Sequence, residues 1–237
     1  MPVNFLGSAS SFPESAFFPP LETIDSIIAR LPGFRGAWDA ADYTGSGPWL
    51  PRIAPAENPY RIVPALTGTA PVRADRNGRP VLRFMPNGKA WINDATGGTP
   101  TIGQLAYASR AYFSNVDTNF QKVFDLGAPE FYFRSTMATP VWQMAGLGAA
   151  ATAPIRAPVI GWHSFVFRKP AGQAGLTLDS DGSETVFGSE GALSGILQIG
   201  DAGSATSAQQ DIARLIICDN GAISTAGRAA MMLWVGG

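Results

Sequence analysis

The feature that most constrains this chain is a change of hydrophobic period near Arg35. Beyond it come short runs in which apolar and polar residues alternate: R-P-V-L-R-F (79–84), A-Y-A-S-R-A-Y-F (106–113), Q-K-V-F-D-L (121–126), E-F-Y-F-R-S (130–135), W-H-S-F-V-F-R-K (162–169), G-L-T-L-D (175–179), G-I-L-Q-I-G (195–200) and A-R-L-I-I-C-D (213–219). A period of two sends successive side chains to opposite faces, which suits a strand and not a helix. β-Branched and aromatic residues fill the runs, and Gly, Pro, Asn or Asp bounds them. Glycine (27) and proline (19) make up close to a fifth of the 237 residues, scattered without a repeat, as turns between many short strands require. The expected class is all-β, a sandwich or jelly roll.

Size and charge narrow the partners. With 46% hydrophobic residues, a chain of this length can bury a substantial core in a single domain. Formal net charge is -1 and 15% of residues are charged, far from the Lys/Arg density that neutralises a phosphate backbone, so no nucleic-acid partner is expected. The single cysteine, Cys218, sits in an apolar run and reads as a small buried hydrophobe; no intrachain disulfide can form, which is compatible with cytosolic assembly. The opening M-P-V-N-F-L-G-S-A-S-S-F-P-E-S lacks the basic and apolar regions of a secretory signal, and no apolar run approaches a membrane span.

Residues 1–34 differ in kind from 35–237, and we divide the chain there into an arm with a short helix and a sandwich. Met1 to Pro20 sets Phe5, Phe12, Phe17 and Phe18 among Ser, Ala and Pro. Either this arm packs on its own domain, or it docks on a neighbouring subunit or another protein, since exposed aromatics at this density mark a contact. A homo-oligomer is one form of the second option. Leu21, Ile24, Ile27, Ile28 and Leu31 then share one helical face, stopped by Pro32-Gly33. Near the other end, Ser224 is placed to cap a short helix that returns Met231, Met232 and Trp234 to the sheets.

Several stretches together resemble concanavalin A-like (laminin G-like) jelly-roll domains. G-A-W-D-A-A-D-Y-T-G-S (36–46) followed by R-P-V-L-R-F-M-P-N-G-K-A-W-I (79–92) resembles the family's opening, and G-W-H-S-F-V-F-R-K, G-L-T-L-D-S-D-G-S, G-I-L-Q-I-G-D and Q-D-I-A-R-L-I-I-C-D with a closing helix resemble its second half. The resemblance spans Gly36 to Val235 and implies a concanavalin A-like β-sandwich. It departs from the family where Gln210-Asp211 replaces the usual glycine before I-A-R-L-I-I.

The segment D-S-D-G at 179–182 reads as a tight hairpin turn, with Asp181-Gly182 supplying positive φ angles. A calcium loop counted from Asp179 would need glycine at its sixth place, where Glu184 stands. A surface ion held by Asp179, Asp181 and Glu184 is the minor alternative.

Catalytic sets are hard to assemble. His163, the only histidine, lies on one strand face with Phe165 and Phe167, a core position, and a Cys218–His163 dyad lacks a nearby cation to activate the thiol. No strand carries two carboxylates at i and i+2, as glycosidases of similar fold do, and neither a zinc set nor a phosphate loop is present. No catalysis and no cofactor are expected. Alternation groups Tyr132 with Arg134 and Tyr112 with Arg110, so Tyr112, Tyr132, Arg134 and Trp142 form a candidate sugar-binding patch, although the same pairs also read as ordinary cross-strand contacts. Trp38, Trp91, Trp162 and Trp234 are expected in the core. Taken together, the expectation is a structural or adhesion protein, foremost a bacteriophage virion component such as a capsid decoration, head fibre or tail protein, assembled in the host cytoplasm. A free-standing lectin-like carbohydrate-binding protein and a divergent glycoside hydrolase are the alternatives.

Overall fold

The structure, a computed structural model, describes residues 22–64, 70–85, 88–114, 121–126, 130–136, 139–145, 151–153, 160–170, 175–187, 194–200, 210–219 and 222–237. Its first strands are β1 Phe34–Asp39, β2 Arg61–Pro64, β3 Val72–Arg76, β4 Arg79–Phe84, β5 Lys89–Asn93 and β6 Thr101–Ile102. Then come β7 Leu105–Phe113, β8 Gln121–Asp125, β9 Glu130–Thr136, β10 Thr139–Ala145 and β11 Ala151–Ala153. The series ends with β12 Gly161–Arg168, β13 Leu176–Ser180, β14 Ser183–Phe187, β15 Gly195–Ile196, β16 Gln198–Gly200 and β17 Gln210–Asp219. Helices α1 Ile24–Ala29 and α2 Thr225–Gly236 flank them.

Two antiparallel sheets carry the fold. One runs β14-β13-β12-β7-β17-β4-β3, with β1 also paired to β17; the other runs β11-β10-β9-β8-β16-β5-β2. Between them lies a core of Trp38, Trp49, Phe84, Tyr107, Phe113, Phe124, Phe165 and Phe167, each at most 2% exposed. The chain is therefore an all-β jelly-roll sandwich with two short helices. Its buried indoles are satisfied: Trp38 Nε1 donates to the Trp49 carbonyl at 3.0 Å, and Trp49 Nε1 to that of Asp39 at 3.1 Å.

A second apolar cluster lies on the outer face of the β7-bearing sheet, where Ala108, Val166, Ile216 and Cys218 are roofed by Ile28 of α1 and Met231, Trp234 and Val235 of α2. This explains the continuous apolar run L-I-I-C: β17 is buried on both faces, Leu215 and Ile217 against the other sheet and Ile216 and Cys218 under the helices. Thr23 caps α1 by accepting from the Ser26 N–H at 3.2 Å, and Ser224 caps α2 by accepting from Gly227 at 3.1 Å. Trp234 Nε1 donates to Asp25 Oδ1 at 3.1 Å and ties the two helices together.

The roof covers only part of that face. Two tryptophans expected in the core are outside it: Trp91 and Trp162 are half-buried, because their neighbours Ala90, Ile92, His163 and Phe165 take the inward positions and alternation turns the indoles out. Trp38 and Trp234 are buried as expected.

Candidate functional site

At the unroofed end of the outer face, five strands place cations beside aromatic rings. The sequence R-N-G-R at 76–79 makes a two-residue hairpin, with φ of 56° at Asn77 and 79° at Gly78, the paired left-handed geometry that Asn-Gly favours. Arg76 and Arg79 lie opposite one another in its register and therefore share a face. On β7 and β12, Tyr112 is opposite Trp162 and the rings meet edge to face at 5.6 Å and 73°. The Arg76 guanidinium lies 4.5 Å from the Tyr112 ring centre; those of Arg79 and Arg110 lie 5.5 and 5.6 Å from that of Trp162. Such contacts contribute roughly 0.5–1 kcal/mol each near a surface.

A bulge in β17 completes the cluster. Its register slips between Ile212 and Arg214, so Asp211, opposite Tyr112, and Arg214, opposite Arg110, both face outward although they stand three positions apart. Asp211 is fully buried and accepts from Arg83 Nε at 2.8 Å, Arg83 Nη2 at 2.9 Å and Arg76 Nε at 2.7 Å. These hydrogen bonds hold the Arg83 guanidinium above its ordinary pKa. Arg110 is shifted the other way, by burial and by the charge of Arg79, against the opposing pull of Asp181. Its Nη1 donates to Ser164 Oγ at 2.8 Å. Beside the patch a cleft of about 350 Å³ is lined by Asp39, Arg52, Gly78, Arg79 and Arg214 among others.

The carboxylates around the D-S-D-G turn are occupied. Asp181 at φ 50° and Gly182 at φ 86° form the tight turn expected from D-S-D-G. The three carboxylates weighed there as an ion site are split among three partners: Asp179 with Arg228, Asp181 Oδ2 with His163 Nδ1 at 2.7 Å, and Glu184 Oε1 with Arg168 Nη2 at 2.7 Å. Burial alone would raise the Asp181 pKa, but hydrogen bonds from His163 and the Ser164 N–H, with the charges of His163 and Arg110, hold it below the ordinary value. No cluster of three metal-ligating side chains occurs among the described residues. Nor is there a Cys218–His163 dyad. Cys218 lies under the helices with its thiol pKa pushed up by burial and by Asp219, whereas His163 faces the intersheet core and β7 separates their strands.

The four residues grouped from sequence do not converge. Tyr112 belongs to the arginine patch, but Tyr132, Arg134 and Trp142 belong to β9 and β10 of the other sheet. There Trp142 is opposite Phe133, one step out of phase with Tyr132, opposite Gln143, and Arg134, opposite Val141. Phe5, Phe12, Phe17 and Phe18 lie outside the described residues. Sequence reasoning missed Arg76, Arg79, Arg110 and Trp162 as one group, although R-N-G-R is a strong hairpin signal and His163, Phe165 and Phe167 on one face already put Trp162 on the other.

No family model matches the chain, and no curated protein sequence matches it significantly. Solved structures do resemble its fold. Domain 4 of AbnA, a GH43 extracellular arabinanase from Geobacillus stearothermophilus solved in complex with arabinotriose, is 13% identical, with 84% of this chain and 98% of that one covered at a TM-score of 0.56. Trypanosoma rangeli sialidase is 11% identical over 85% of this chain at a TM-score of 0.57, and the receptor binding domain of botulinum neurotoxin D 6% over 90% at 0.57. The chain spans 33% of that sialidase and 54% of that toxin domain. At such identities the likeness defines the class alone, a jelly-roll β-sandwich.

Proposed function

We propose that this chain is a non-catalytic recognition module of the adhesion type, whose unroofed outer face binds carbohydrate. The observation that carries the reading is the half-buried Trp162–Tyr112 pair, set among arginines on the part of the sheet that the helices leave uncovered. Amphipathic rings beside guanidinium donors suit sugars, which present both C–H faces and hydroxyls. The neighbour solved with arabinotriose supports a saccharide ligand for a sandwich of this shape. The buried carboxylates Asp39, Asp179, Asp211 and Asp219 are each held by an arginine or tyrosine, which favours binding over acid–base chemistry. A glycan array probed with the full chain tests the reading. Binding is expected, and Trp162→Ala should weaken it at least about tenfold, ~1.4 kcal/mol, while the melting curve stays cooperative. Silence from folded protein, or unchanged binding by the variant, would overturn it.

Within this reading we place the chain on a virion, as a capsid decoration, head fibre or tail protein, with the segment bearing Phe5, Phe12, Phe17 and Phe18 as the dock to the particle or to a second copy. The lectin-like alternative uses the same face and suits the neighbours equally well. Deleting residues 1–20 separates the two: a dock predicts loss of oligomer or particle attachment with sandwich melting intact, and a free-standing lectin predicts neither loss.

A further inference from the structure

We infer that the ligand of this face is an acidic saccharide, bound through its carboxylate by Arg79 and Arg110; this rests on the carbohydrate-binding reading above. Arg76, Arg79, Arg83 and Arg110 converge here, and two of them are ion-paired with a single carboxylate. Arg76 and Arg83 share Asp211, whereas the Arg79 guanidinium has no carboxylate within ion-pair distance among the described residues. Arg110 donates one N–H to Ser164, and its Nε, buried, has no hydrogen-bond partner. Both guanidinia rest against the same indole and are close enough to repel one another. Two like charges set against one indole make an arrangement that an anion relieves.

The rings argue in the same direction. With Arg76 over Tyr112 and two arginines beside Trp162, the patch sets guanidinium N–H groups around its rings. A planar carboxylate matches two parallel N–H groups of one guanidinium, and the same sheet displays that geometry: Arg83 grips both oxygens of Asp211 through Nε and Nη2 at 2.8 and 2.9 Å. The adjoining cleft, with Arg79 on its wall, gives the rest of a sugar ring room beyond the carboxylate.

The test uses the full chain and oligosaccharides in paired forms: trigalacturonate, a mannuronate trimer and sialyllactose, each as the free carboxylate and as its methyl ester. Sulfated lactose serves as an anion of different shape. Calorimetric titration should show at least one carboxylate form binding tenfold or more tightly than its ester and than the sulfated sugar. Arg79→Gln and Arg110→Gln should each remove most of that preference while thermal melting shows folded protein, with Arg79→Lys intermediate because a point charge replaces a fork. Equal binding of acid and ester, or a preference that survives both glutamine variants, would overturn the inference and leave the carbohydrate reading standing. Absence of binding to every neutral and acidic sugar would overturn both.

Discussion

Replacing Asp211 by alanine should be among the most damaging single changes to the β7-bearing sheet. The carboxylate is fully buried and accepts three N–H groups at 2.7 to 2.9 Å from two arginines. Removing it leaves two cations facing each other across the space it filled. Breaking a buried ion pair by deleting one partner costs about 3–5 kcal/mol when the orphaned charge has no escape. Here Arg76 and Arg83 keep 23% and 24% of their side-chain surface in solvent, so each can swing toward water, and the loss should settle near ~2–3 kcal/mol. For a chain of this size that corresponds to a melting temperature lower by roughly 4–12 °C. Urea unfolding of wild type, Asp211→Ala, Arg83→Ala and the double variant would read the coupling directly. The double variant should be at least about 1 kcal/mol more stable than the sum of single losses implies. Additive losses, or a loss under about 1 kcal/mol for Asp211→Ala, would refute the claim that this ion pair organises the arginine patch.

Other consequences are testable by stability and reactivity. Asp181 and Glu184 have folded-state pKa values below their ordinary ones, so their contribution is fully present above the unfolded carboxylate values near ~4 and is lost as pH falls through the lower folded ones; an acid titration of unfolding free energy should show this loss, and Asp181→Asn should reduce it. Cys218 is buried and its thiol pKa is raised, so a disulfide reagent at neutral pH should leave native protein unmodified and react stoichiometrically in denaturant; rapid native reaction would contradict its placement. Gly33 has φ of 63°, and a Cβ there would meet the Asp219 carbonyl oxygen at 1.5 Å, so Gly33→Ala should cost roughly 3 kcal/mol or more by urea unfolding. A near-neutral effect would refute that close approach.

Alternation made the sandwich legible. Runs such as A-Y-A-S-R-A-Y-F carry their burial in their period, and the cap Ser224 marks a helix start by chemistry alone. The site was harder to read because its members come from separate strands, and nothing local says which strands become neighbours. Grouping Tyr112 with Tyr132 and Arg134 assumed one sheet, yet the first belongs to β7 and the others to β9. Trp162 illustrates a different limit: the composition of W-H-S-F-V-F is mostly apolar and suggests core, whereas its period turns the indole outward. The Ala213 bulge has no signature in the sequence, and counting by twos across it puts Asp211 and Arg214 on opposite faces. Position 211 holds the buried carboxylate that binds Arg76 and Arg83. A glycine there would leave those two arginines without their counter-charge, so this carboxylate and the arginine patch are one feature.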